Sequence, residues 1–365
     1  MIVPVQALQE GCIVKTDIYS LAPTPLIKSH TVLKETHLAF LKAFSIKEID
    51  IEYALADGDS FHPADLSEVE PDADEVNPSF FYRYNEAVRV FKRHFESWQA
   101  GMPVAVYELR TVMVPLFEGV IQNPDQLLTL HEYSFTKDYR YHHAVSVGLI
   151  AAALAHKMQY DKKEWIQIGL AGLLADIGMA KISPGILDKS GPLTELEYDE
   201  IKKHPVYSYK MIKEAKGLTV AVQLAILQHH ERADSEGYPF GIEKSKLHPY
   251  SEIIAVADVY HAMSSERQYR AKHSIYYILE EMRRQTFGPL NIPGVLALTD
   301  LLLQFSVGAT VRLNTEEVGD IVFITPQDLT RPMIKLAKSG DIINLQQSLQ
   351  LYIEEILNWN KKMLV

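Results

Sequence analysis

Apolar positions along the chain recur with a helical period between residues 80 and 290, and with a period of two mainly towards the two ends. Residues 1–55 read as a small α/β module. Cys12-Ile13-Val14 and Pro25-Leu26-Ile27 are strand-like, Lys47 to Glu52 alternates, and Leu38, Leu41 and Phe44 have helical spacing. From Asp57 to Pro78 eight carboxylates occur without a Lys or Arg, punctuated by Pro63, Pro71 and Pro78, so 56–78 is expected to be an extended acidic linker. Residues 79–124 should form connecting helices, the first carrying Phe81, Tyr84, Val88, Phe91 and Phe95 on one face, for a core or a dimer interface.

The block 125–290 predicts a helical bundle. Segments His143–Met158 and Trp165–Leu174 are apolar all round and should be buried, with Gly148, Gly169 and Gly172 allowing close helix approach. Thr194 and Glu197 have capping-box spacing, and His204-Pro205 suits a helix start. Further helices are expected over Thr219–His230, Ile253–Met263 and Ile275–Arg284. In 291–365, the stretches 308–313 and 318–324 flank a polar turn and predict a β-hairpin, followed by an amphipathic helix from about Leu345 to Trp359. The fold class is mainly α.

Composition narrows the function. With 365 residues, 47% hydrophobic and 23% charged, the chain suits a soluble protein of two or three units. A net charge of −11 argues against DNA, RNA or anionic membranes as general partners, though not against a small anion in a local basic pocket. Cys12 is the only cysteine, no signal peptide is visible, and the apolar runs are too short to span a bilayer; a cytoplasmic location is expected.

The chemistry gathers around Leu173 to Ile182. There Asp176 sits in apolar sequence where a helix is expected to end on Gly178. His143 precedes it by one helix, and His204, His229-His230 and Asp258 follow at helix-sized intervals. A buried carboxylate surrounded by histidines from several helices is costly unless a cation pairs with it, and a mixed N/O donor set suits Fe, Mn, Co, Ni or Zn better than Ca or Mg. Ala175 stands where one more histidine would complete the set.

Asp176-Ile177-Gly178, His204-Pro205, His229-His230-Glu231-Arg232, Asp234, Gly237-Tyr238-Pro239 and Val256 to Tyr260 occur in an order that resembles the HD-GYP branch of the HD phosphohydrolase superfamily. The resemblance covers about 130–290 and implies an HD-type helical domain that uses iron or manganese to hydrolyse cyclic di-GMP. By position it assigns metal ligation to His143, Asp176, His204, His229, His230 and Asp258, with Asp176 as the catalytic bridging carboxylate. It assigns ligand binding to Arg267, Arg270, Gly237, Tyr238 and Pro239, the arginines offering phosphate oxygens a guanidinium fork. Tyr139 occupies a position where some relatives carry a third-metal glutamate, so a third metal is not expected.

Two departures weaken the enzyme reading. The family's His-Asp pair is Ala175-Asp176, and its following lysine is Met179. One metal should be held firmly by Asp176, His204, His229 and His230, with the second, served by His143 and Asp258, weak or absent. His261, three residues after Asp258 where relatives carry an aspartate, is expected to support the site as a neighbour of the ligands more than to replace the lost one; His142 should point away from His143. Two functions follow: a cyclic di-GMP phosphodiesterase with impaired hydrolysis, or an inactive cyclic di-GMP receptor or protein-interaction module. A signalling partner protein and a homodimer are both compatible with either.

Overall fold

The computed structural model describes residues 1–19, 25–43, 46, 48–58, 61, 80–133, 138–189, 191–265, 274–285, 288–303, 306–325 and 328–358. It divides into two compact units, Met1–Ala87 and Val88–Val365. Most of the acidic linker lies outside the described residues.

The first unit is a small α/β module. Strands β1 (Ile2–Pro4) and β4 (Glu48–Asp50) pair antiparallel, as do β2 (Ile18–Tyr19) and β3 (Pro25–Ile27). Helix α1 spans Glu35–Ala43. The expected strand at Cys12-Ile13-Val14 is reduced to single bridges, Ile13 to Val32 and Val14 to Ile51.

The second unit begins inside helix α2 (Phe80–Gln99) and continues with α3 (Val106–Gln122), α4 (Tyr139–Lys157) and α5 (Lys162–Leu174). Phe91 and Phe95 of the α2 aromatic stripe are core there, with rings 5.6 and 6.4 Å from Trp98 and 6.4 and 5.4 Å from Tyr141. Helices α4 and α5 form the buried centre. Their apolar sequence has no wide polar face because almost every residue from Tyr141 to Ala155 and from Trp165 to Leu174 is covered. Gly172 eases their approach, since a Cβ there would lie 3.0 Å from the Val147 carbonyl oxygen, tighter than an ordinary contact. Asp161 and Glu164 close a capping box at the start of α5, a signal of the same kind as Thr194 and Glu197 at the start of α7 (Glu195–Ile201).

Around this pair lie α8 (His204–Ile212), α9 (Val220–Gln228), α10 (Pro249–Ser264), α11 (Ile275–Arg283) and α12 (Ile292–Leu303), with the short α6 (Pro184–Leu187) preceding α7. Pro205 lies in the first turn of α8, where its missing N–H costs no helical bond.

The end of the chain corrects one expectation. The β-hairpin forms as β5 (Thr310–Leu313) and β6 (Val318–Thr325), with Val311 opposite Gly319. It belongs to a five-stranded antiparallel sheet of order β8-β7-β6-β5-β9, with β7 Asp328–Leu336, β8 Ile342–Asn344 and β9 Ile353–Asn358. The terminal segment is therefore strand where a helix was expected. Strand β9 covers the open edge of β5, pairing Ile353 with Leu313 and Ile356 with Val311, while Arg312 meets the Glu355 carboxylate at 2.7 Å. Satisfying a strand edge outweighs the local amphipathic spacing. Strand β7 is hard to foresee because Pro332 interrupts it; the register with β6 shifts between Ile321 and Thr325, which accommodates the missing N–H.

Candidate metal centre

Helix α5 ends at Leu174, Ala175 caps it, and Asp176 leads into a tight 3₁₀ turn over Ile177–Lys181. That turn lies directly against α8. A Cβ on Gly178 would sit 2.1 Å from the His204 carbonyl oxygen and 2.5 Å from the Ser208 nitrogen, so only glycine fits. The Gly178 N–H donates to Ser208 Oγ at 2.8 Å, and the Ser208 hydroxyl donates to the Ala175 carbonyl at 2.6 Å. A fully buried serine thus fixes both ends of the Asp176 segment to the helix that carries His204.

His204 and His229 are aimed by their own backbones. His204 Nδ1 donates to the Ile201 carbonyl at 2.8 Å, and His229 Nδ1 donates to the Ile226 carbonyl at 2.7 Å. With Nδ1 donating to a carbonyl, Nε2 is the ring atom turned towards Asp176. The two Nε2 atoms lie 3.3 Å apart, and 3.1 and 3.3 Å from Asp176 Oδ1. Three electron-pair donors converge on one point, and Asp176 Oδ1 is buried without a hydrogen-bond partner. Such an arrangement is repulsive until a proton or a metal cation enters it. Asp176, His204, His229 and His230 offer ligand atoms that all lie within 4.8 Å of one another, so the donor set fits a metal ion.

The other carboxylate oxygen looks the opposite way. Asp176 Oδ2 is 3.7 Å from His143 Nε2, which is 2.9 Å from Asp258 Oδ1. Asp258 Oδ2 lies 3.8 Å from His230 Nδ1. The structure therefore gathers all six histidine and aspartate positions into one cluster, with Asp176 between two halves. Ala175 lines a small pocket beside the second half, with His143, Gly172, Asp176, His229 and Asp258. Burial raises the Asp176 carboxyl, but His204 and His229 outweigh it and hold it well below the usual range. Asp258 is likewise held low against burial by His143 and His230. Burial, then the neighbouring His229, depresses His230 and keeps its ring neutral, the form that ligates.

His261 is fully buried behind His143. The two Nδ1 atoms are 2.9 Å apart, so His261 faces the ring edge opposite the Asp258 carboxylate. Tyr139 stacks on His143 with centroids 5.4 Å apart and places its hydroxyl 3.3 Å from the same Nδ1. His142 is buried, and burial pushes its pKa down to about 4.

The Gly237-Tyr238-Pro239 loop closes over the first half. The Tyr238 ring lies 4.6 Å from that of His230 and 6.2 Å from that of His204. Burial, together with the Asp176 and Asp258 carboxylates, pushes the phenol upward, so it stays protonated. Gly237 packs against the backbone of His230 to Arg232, and Tyr238 N–H donates to the His230 carbonyl at 3.1 Å. The loop is held from below by buried Glu231, whose carboxylate accepts the Phe240 and Ile242 N–H groups at 2.8 and 3.1 Å. Arg232 donates to the His229 and Glu231 carbonyls. Ser208 and the loop-holding role of Glu231 were not identified from sequence; Ser208 lies one helical turn after His204, which was the available signal. Lys181, the lysine nearest to Met179, donates to the Trp98 carbonyl at 2.8 Å and is committed there. Arg267 and Arg270 lie outside the described residues.

Comparison with known proteins agrees with this geometry. Residues 119–289 match the family described as HD domain. A cyclic di-GMP phosphodiesterase of Pseudomonas aeruginosa is 28% identical over 242 residues, 66% of this chain and 58% of that protein. A 3′3′-cGAMP-specific phosphodiesterase of Vibrio cholerae is 32% identical over 129 residues, 35% of this chain and 28% of that protein. The matched segments thus span less than two thirds of either relative. Among solved structures, an HDG"Y"P protein from Bdellovibrio bacteriovorus shares the fold at a TM-score of 0.50, with 15% identity over 83% of this chain and 99% of that one. Residues 119–289 are thus similar to the HD domain, and the His229-His230-Glu231 and Gly237-Tyr238-Pro239 segments lie within that match.

Proposed function

We propose that the chain binds cyclic di-GMP at a metal centre built around Asp176 and hydrolyses it with impaired turnover. The observation that supports this is the convergence of Asp176 Oδ1 and the Nε2 atoms of His204 and His229 around an unpartnered buried oxygen. Asp176, His204, His229 and His230 would hold one metal firmly, iron or manganese. His143, Asp258 and the second Asp176 oxygen would hold another weakly. When bound, such metals supply charge to activate water and to stabilise a phosphodiester under attack. This chain's own residues set the rest. Asp176, ionised and shared, keeps the two halves in register. Gly237, Tyr238 and Pro239 border the nucleotide, and Arg267 and Arg270 take its phosphates. The relatives' names support a cyclic dinucleotide as substrate, with cyclic di-GMP first and 3′3′-cGAMP as the competitor to assay beside it.

Turnover of cyclic di-GMP with Mn²⁺ or Fe²⁺, abolished by Asp176→Ala and raised by Ala175→His, is the expected result. No hydrolysis by the unmodified chain or by Ala175→His, with nucleotide binding retained and dependent on Arg267, would favour the receptor. Two observations support that second reading: Ala175 offers no donor to its pocket, and Lys181 cannot stand in for a lysine at Met179. Either role suits a cytoplasmic signalling protein, with a protein partner or homodimer as further expectations. Among the described residues no helix is long and apolar enough to cross a membrane.

A further inference from the structure

The His143–His261 contact sets a constraint that the ligand positions alone do not. For the second half of the centre to take a cation, His143 must present the Nε2 lone pair between Asp258 Oδ1 and Asp176 Oδ2. Its proton must then sit on Nδ1, and Nδ1 faces His261 Nδ1 at 2.9 Å. Two nitrogens at that distance share one proton, so His261 must accept there and carry its own proton on Nε2. Ser265 Oγ lies 3.4 Å from both His261 nitrogens, a weak contact that favours neither assignment, so the short Nδ1–Nδ1 contact carries the argument. The opposite assignment, with His261 donating, moves the His143 proton to Nε2. There it bonds Asp258 and blocks the position a metal needs. The Tyr139 hydroxyl is farther from His143 Nδ1, at 3.3 Å, and leaves His261 as the closer partner.

We propose that His261 is a positioning residue for the second metal. By accepting the His143 Nδ1 proton it fixes the ring in its ligating tautomer, offsetting in part the donor missing at Ala175. The inference rests on the metal-centre reading above. It differs from direct ligation by His261, because His261 Nδ1 is engaged by His143 on the edge facing away from Asp258.

The test uses the full chain, stripped with chelator and titrated with Mn²⁺ by calorimetry, with bound metal counted by elemental analysis and folding checked by circular dichroism. The unmodified chain should show one tight and one weak class of site. His261→Ala should weaken the weak class roughly 10–100-fold and leave the tight class unchanged. His261→Asn, whose Oδ1 occupies the place of the imidazole Nδ1 and can only accept, should restore the weak class to within a few-fold. Equal weak-class affinity in His261→Ala and the unmodified chain would overturn the proposal. So would equal losses in the Ala and Asn variants, which would mean direct ligation, or a single class of site in the unmodified chain at saturation. Should Asp176→Ala retain both classes, the metal-centre reading itself fails and this inference falls with it.

Discussion

Ser208 and Gly178 are joined by a 2.8 Å hydrogen bond, and through it the turn carrying Asp176 is fastened to the helix carrying His204. The same hydroxyl holds the Ala175 carbonyl. The distance between carboxylate and imidazole is therefore set by a residue that touches neither. Ser208→Ala leaves a buried N–H and a buried C=O without partners and should cost about 1–3 kcal/mol in urea unfolding. It should also weaken the tight Mn²⁺ class while leaving all proposed ligands in place. Unchanged affinity would show that helix packing alone positions the turn.

Glu231 is expected to govern the loop rather than the metal. Glu231→Ala removes the acceptor for the Phe240 and Ile242 N–H groups. Hydrogen exchange should accelerate across residues 237–242, with a stability loss of about 1–3 kcal/mol. Cyclic di-GMP binding should weaken while metal content stays constant.

Acid should destabilise the metal-free chain before its carboxylates titrate. His142 has a folded-state pKa near 4, set by burial, against an ordinary value of 6.5. Between those values the unfolded chain binds more protons than the folded one, so stability is full above pH 6.5 and falls as pH drops towards 4. His230 is shifted in the same direction. Urea midpoints measured with chelator from pH 8 to 5 should decline, and His142→Gln should flatten the slope.

The C-terminal strand can be tested separately. Ile353 is 1% exposed and sits opposite Leu313. Ile353→Ala should cost about 2–5 kcal/mol, as core truncations do. The exposed Arg312–Glu355 pair on the same strands should contribute under about 1 kcal/mol. A solvated terminal helix would give the opposite ranking.

Most of the bundle and all six clustered His and Asp positions were legible in the sequence, because helical period, capping residues and the family motifs are local signals. What escaped has a common cause. Strand β9 is defined by the distant edge of β5, and β7 hides behind Pro332 and a register shift. Ser208 and Glu231 act by closing hydrogen bonds that exist only after the chain has folded back on itself. His261 was legible as a neighbour of Asp258, but its choice of the rear edge of His143 depends on how α10 packs against α4.

The two halves of the centre differ in how their imidazoles are aimed. His204 and His229 each lean on a main-chain carbonyl three residues earlier, an acceptor that no single substitution removes. His143 leans on another side chain, which one codon change can abolish. His204 and His229 are thus aimed by the backbone, whereas the aim of His143 can be lost through a single side chain. Under the proposed function, a lineage released from selection for turnover would lose the His143-side ion first and pass through a stage that keeps one ion at Asp176, His204, His229 and His230.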